Sequence, residues 1–83
     1  MDLTTSKVLL LAFVAAFRDD AGIGPTVDEI AQGLAIPTVE TDRMVHALCK
    51  AGYADREEAP RSIIVTETGY SELQARGYWP TPG

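Results

Sequence analysis

Thr26-Val27-Asp28-Glu29-Ile30-Ala31-Gln32-Gly33-Leu34, then Ala35-Ile36-Pro37-Thr38, then Val39 through Lys50, is the stretch whose reading decides the fold. Thr26 and Glu29 have the spacing of a capping box, in which each side chain satisfies a backbone N–H that the first helical turn leaves free. Val27, Ile30, Ala31 and Leu34 recur as one apolar face. Gly33 costs about 1 kcal/mol of helix propensity relative to alanine, so its place in so short a helix implies close packing against a neighbour. Pro37 cannot continue this helix, and Thr38 is expected to cap the next one. In that second helix Thr41, Met44, Val45 and Leu48 share an inward face. Val39, Arg43, His46 and Lys50 lie opposite, with Glu40 and Asp42 flanking them. Ala51-Gly52 is a helix stop, because glycine can take the left-handed conformation.

Downstream, Tyr53 to Arg56 is short and strand-like, Glu57-Glu58-Ala59-Pro60 is turn chemistry, and Arg61 to Val65 holds the β-branched run Ile63-Ile64-Val65. The two strands make a small hairpin. Thr66 caps a last helix that carries Tyr70 and Leu73 and ends at Gly77. The fold class that follows is α+β: three to four helices plus a β-hairpin wing, a small winged helix-turn-helix domain in the order helix, helix, helix, hairpin, helix. It is expected to occupy residues 1–77, with residues 78–83 as an extended C-terminal tail containing Tyr78, Trp79, Pro80 and Pro82.

Upstream, Thr4, Thr5 and Ser6 offer N-cap oxygens to a first helix running to about Asp19. Val8, Leu11, Ala12 and Ala15 fall on one side of it, and Leu10, Phe13 and Phe17 on the other. A helix apolar all round must be covered on both faces. The expectation is a two-fold homodimer with Leu10, Phe13 or Phe17 in its interface; the competing arrangement has the last helix and the tail around Trp79 covering that side. The apolar run Val8–Phe17 is too short for a bilayer, which needs about 20 residues. Its flanks, Asp2 and Lys7 before it and Arg18-Asp19-Asp20 after it, are not those of a secretory signal. No membrane association is expected.

At 83 residues with 46% apolar content, the chain is one domain with a core of marginal size. The single cysteine, Cys49, cannot form an internal disulfide and is expected to be a partly buried structural thiol, which fits a reducing, cytoplasmic setting. Catalytic residues, cofactor and metal are all expected to be none. No nucleophile sits with a base, no glycine loop cradles phosphate, and no Cys/His cluster has ligand spacing.

The segment Glu29-Ile30-Ala31-x-x-Leu34-x-Ile36, followed by Arg43, Val45, Leu48 and Gly52, resembles MarR-type winged-helix regulators. Val65-Thr66-Glu67-x-Gly69 followed by Leu73 extends the likeness through the wing strand and the helix after it. Gly24 to Ala31, with Pro60-Arg61-Ser62-Ile63, is similar to the DNA-binding domain of LexA-type repressors. The resemblance covers half to three quarters of the chain. It implies a transcription regulator whose second helix enters the DNA major groove, and it implies DNA contacts from Thr38, Val39, Glu40, Asp42, Arg43, His46, Lys50, Arg56 and Arg61. Two features depart from the pattern. The wing carries more acids (Asp55, Glu57, Glu58) than arginines, and 83 residues leave no room for the long dimerisation helices of that group, so a bare binding module is expected.

Charge opposes this reading. The chain carries a net −5, whereas DNA affinity rests largely on phosphate neutralisation by Lys and Arg. Residues 25–50 hold four acids against two bases, and residues 51–67 again four against two. Two readings stay open. In the first, Arg43, His46 and Lys50 centre a base-reading face, Val39 meets a thymine methyl, and Glu40 or Asp42 accepts a hydrogen bond from cytosine N4. In the second, an acidic surface binds a protein partner, with Tyr53, Tyr78 and Trp79 as anchors. Simpler roles are also available. Glu40–Arg43 and Asp42–His46 have the spacing of surface pairs, Lys50 suits a helix C-terminus, Arg56 and Arg61 can pair with Glu57 and Glu58, and Tyr53 can be a core residue at the helix–wing junction.

Overall fold

Each helix starts after a threonine or proline in extended backbone and ends where the backbone turns left-handed or tightens. The computed structural model describes residues 3–81, so the outermost residues of the expected domain and tail (1–2 and 82–83) lie outside the described part. Thr4 caps α1 (Thr5–Ala21), its Oγ1 accepting from the Lys7 N–H at 3.3 Å, and Gly22 at φ 75° stops it. Helix α2 (Val27–Leu34) opens on the expected capping box: Thr26 Oγ1 accepts from the Glu29 N–H at 3.1 Å and Glu29 Oε1 from the Thr26 N–H at 2.8 Å. Ala35, at φ 56°, makes the turn to α3 (Thr38–Lys50). The cap of α3 is Pro37, not Thr38. Thr38 already has helical backbone, and its hydroxyl reaches Asp28 Oδ1 at 3.4 Å.

After Gly52, at φ 88° as a helix stop requires, two antiparallel strands follow: β1 (Ala54–Asp55) and β2 (Ile64–Val65), with Ala54 opposite Val65 and Asp55 opposite Ile64. They are shorter than the strand-like runs in the sequence, because Arg56 to Ile63 is given over to a loop held by side chains. Thr66 caps α4 (Glu67–Ala75) through the Gly69 N–H at 3.1 Å. Past α4, Gly77 is left-handed and the Tyr78 N–H returns to the Leu73 carbonyl at 2.8 Å. The Trp79 ring lies 5.4 Å from that of Tyr70 of α4, and Trp79 packs half-buried against the core.

The core gathers Val8, Leu10, Leu11, Val14 and Ala15 of α1, Ile30 of α2, Met44, Val45 and Leu48 of α3, Ala54, Ile63, Val65, and Leu73 of α4. The predicted inward face of α3 is buried in full, with the Thr41 hydroxyl donating to the Pro37 carbonyl at 3.0 Å. Helix α1 divides differently from the expectation. Leu10 is 0% exposed within its own domain and is therefore unavailable to a subunit interface. Helices α2, α3 and α4 and strand β2 all pack on α1. Phe13 lies against Gly33, where a Cβ would collide with its ring, and Phe17 stacks on Phe13 at 6.0 Å. The close packing implied by Gly33 is thus with Phe13. The large apolar side chain that α1 leaves open is Leu9, at 42% exposure.

The base of the hairpin closes on one spot. The Tyr53 carbonyl accepts from the Thr66 N–H at 3.1 Å, and the Thr66 hydroxyl donates to the Gly52 carbonyl at 2.6 Å. A side chain at Gly69 would strike that same Tyr53 carbonyl and the Val65 side chain. Backbone cannot swing aside as a side-chain tip can. Gly69→Ala is therefore expected to lower stability by about 1–3 kcal/mol despite its better helix propensity, read as a lower urea midpoint; an unchanged or raised midpoint would contradict the packing.

Candidate functional site

Because Thr41, Met44, Val45 and Leu48 are fixed inward, the helical period forces Val39, Arg43, His46 and Lys50 outward in one stripe. All four are exposed, Val39 at 66%. The stripe spans eleven rises of roughly 1.5 Å, so its ends stand about 16 Å apart. Thr38 and Asp42 lie along the flank of the stripe that faces α2 and the wing, and Glu40 lies along the other. At the C-terminal end of α3 an open hollow of about 530 Å³ is lined by His46, Ala47, Lys50, Ala51 and Tyr53. Tyr53 itself is half-buried against the core at the helix–wing junction.

The wing arginines take partners on the helices, not the neighbouring Glu57 and Glu58. Arg56 donates from Nη1 to Asp42 Oδ1 at 3.1 Å, tying the start of the wing to α3. Arg61 donates from Nη1 to Glu29 Oε1 at 2.7 Å and to the Gly24 carbonyl at 3.1 Å, tying its end to α2 and the preceding turn. Asp42 is thereby claimed by Arg56 rather than by His46, and no Glu40–Arg43 ion pair forms. Among the described residues three ion pairs are present, the third being Arg76–Glu72 at 2.9 Å, and neither Arg43 nor Lys50 takes part in any. Of the nine expected contact residues, the structure brings Thr38, Val39, Glu40, Asp42, Arg43, His46 and Lys50 onto or beside one helix face. It sets Arg56 against the flank of that helix and directs Arg61 to α2 instead.

Ser62, not among the expected contact residues, organises the wing. Its Oγ accepts from the Glu57 N–H at 2.8 Å and lies 2.8 Å from the Glu57 carbonyl and 2.7 Å from the Ala59 carbonyl, to which it donates. A serine following a Pro-Arg turn was the available signal, since hydroxyls commonly close such loops on their own backbone. Between the wing and the start of α2 runs a groove of about 540 Å³ lined by Val27 and by residues from Arg56 to Ile63.

Two groups titrate away from their ordinary range. The Glu29 carboxyl is held low, first by the hydrogen bond from the Thr26 backbone and then by Arg61. Burial pushes the half-buried Cys49 thiol up, which disfavours the thiolate that nucleophilic chemistry uses. Among the described residues no group of three or more His, Cys, Asp or Glu is placed to hold a metal ion, and no helix is long and apolar enough to cross a membrane.

No protein-family model matches the sequence, and no curated protein does. Solved structures do. S. aureus MepR bound to ethidium bromide superposes with a TM-score of 0.76 at 20% identity, over 90% of this chain and 55% of that one. A point mutant of S. aureus MepR gives 0.78 at 20% identity, over 89% and 56%. A second mutant, from a multidrug-resistant clinical isolate, gives 0.78 at 20%, over 96% and 59%. MepR is a MarR-type winged-helix regulator, and the likeness establishes that the present chain has the MarR-like winged-helix fold. The chain spans little more than half the length of those structures.

A carboxylate with a depressed folded-state pKa contributes stability above the ordinary carboxylate range, and that contribution is lost as pH falls through this range toward the folded value. Glu29→Gln keeps a side-chain acceptor for the capping box but gives up the charge facing Arg61. The urea midpoint of the wild type is expected to fall more steeply with acidification than that of Glu29→Gln, and the two curves to converge at low pH. Parallel curves would show that Glu29 carries no linked stability.

Proposed function

We propose that the protein is a small winged-helix regulator of transcription that binds double-stranded DNA through α3 and the wing. The observation that carries this reading is the placement of charge. Asp42 and Glu29, two of the acids that make the helix-turn-helix segment negative, are matched within the domain by Arg56 and Arg61, while Arg43 and Lys50 stand on the exposed stripe free of any ion pair among the described residues. The likeness to MepR supports the same reading through the fold.

The roles follow from side-chain chemistry. Arg43, at the middle of the stripe, suits a bidentate contact to guanine O6 and N7, and Val39 suits a thymine methyl. Lys50 and His46, toward the C-terminal end, suit phosphates, and Thr38 brings a hydroxyl to the start of the helix, where backbone N–H groups also favour anions. Glu40 can accept from cytosine N4. Two copies pairing through α1 would meet over Leu9, Phe13 and Phe17, because Leu10 is sealed inside each domain. Light scattering at high micromolar concentration is expected to show a dimer that Leu9→Asp dissociates; a clean wild-type monomer would remove that element.

The deciding measurement is a titration with genomic fragments at low and at physiological salt. A specific fragment is expected to bind, and Arg43→Ala is expected to cost about 1–3 kcal/mol for it. Absence of binding to any fragment at low salt, where phosphate contacts are strongest, would overturn the DNA reading and turn the search to a protein partner.

A further inference from the structure

The bridge between Asp42 and Arg56 joins the DNA-facing helix to the wing, and neither residue is needed by the core. Asp42 is exposed at 57% and its oxygen lies 3.1 Å from a guanidinium that is 28% exposed. The Asp55 carboxylate accepts from the backbone N–H of Arg56 at 2.9 Å. The Arg56 guanidinium is thus held by the Asp42 carboxylate at the junction of the wing and α3.

We infer that Asp42 is a specificity-determining residue which occupies Arg56 in place of a DNA phosphate and so suppresses non-sequence-specific binding. The inference rests on the DNA reading proposed above. Non-specific affinity comes from cations that displace counterions from the phosphate backbone. Arg56 can supply such a contact only by exchanging one anion for another, and the exchange leaves Asp42 unpaired beside the duplex. On an arbitrary sequence nothing offsets that loss, so Arg56 stays on Asp42 and the low cation count of the surface falls further. At a preferred sequence the contacts of Arg43 and Val39 supply the difference. The acidic character that argues against DNA binding then becomes a means of discrimination: a protein with few free cations ignores most of a genome and depends on base contacts. Asp42 acts here on the wing arginine and not on a cytosine, which separates this role from direct base readout.

The test uses the full chain and a random-sequence duplex, with fluorescence anisotropy measured over a range of salt. Asp42→Asn removes the competing charge and keeps the side-chain shape. It is expected to tighten random-duplex binding by about three- to tenfold at low salt and to steepen the salt dependence by about 0.9, one added phosphate contact. Arg56→Ala is expected to weaken wild-type binding modestly, by leaving Asp42 unpaired beside the duplex, and to abolish the steepened salt dependence of the Asp42→Asn background, the non-additivity that marks a direct coupling. Glu58→Gln, which removes an equal charge from the nearby wing surface without breaking an ion pair, is expected to leave the slope unchanged. Unchanged helical circular dichroism of all variants ties the readout to binding rather than to folding. Weaker or equal binding by Asp42→Asn, additive effects of the two substitutions, or an equal gain from Glu58→Gln would each overturn the inference while leaving the DNA reading in place. Failure of both wild type and Asp42→Asn to bind any duplex at low salt would overturn the two together.

Discussion

The two-residue strands β1 and β2 form too few ladder hydrogen bonds to fix the position of a hairpin. The wing is located instead by Ile63 and Val65, which it sinks into the core, and by Arg61, which ties its end to α2. Its guanidinium meets Glu29 and the Gly24 carbonyl together. Glu29 is also the carboxylate that completes the capping box of α2. One carboxylate therefore starts a helix and anchors the loop that follows two elements later. That carboxylate ties the helix-turn-helix to the wing.

Charge pairing follows from the same constraint. A wing held against α2 and α3 brings Arg56 and Arg61 among the acids of those helices, and opposite charges brought that close pair. A net charge counts every carboxylate equally, whether it faces solvent or a guanidinium. In the folded chain the acids of the outer surface are unequal: Asp42 and Glu29 are matched, while Glu40, Glu57 and Glu58 are left to solvent. The stripe of α3 consequently presents more positive character than the linear count of its residues. Surface pairs of this kind contribute little to stability, typically about 0–1 kcal/mol; their weight lies in where they leave the remaining charge.

Helix α1 shows how an 83-residue chain hides an apolar helix without a second layer. Every other helix and β2 lean on it, so its apolar circumference is covered from several directions at once. Leu10, on the side where the sequence allowed a partner subunit, is closed over by the domain itself. Phe13 is accommodated only because α2 carries glycine at position 33, and the cost of that glycine to the helix is offset by the approach of the ring. The tail folds back beside α4, where the Trp79 and Tyr70 rings lie 5.4 Å apart.

Local chemistry was legible in the order of residues. The capping box at Thr26 and Glu29, the glycine stop at Gly52, the cap at Thr66 and the inward face of α3 each depend on neighbours within a turn or two, and short-range hydrogen bonding and period alone specify them. The α+β order of elements followed from those signals. The cap at Pro37 escaped because a threonine beside a proline offers two registers, and the turn through a left-handed Ala35 selected the earlier one. Beyond that range the sequence was silent. Asp42 and Arg56 are separated by 14 positions and Arg61 and Glu29 by 32, and adjacent Glu57 and Glu58 were equally good partners on paper. Only the packing of the wing against two helices decided between them, because an ion pair is chosen by distance in space, and that distance exists only once the core has formed.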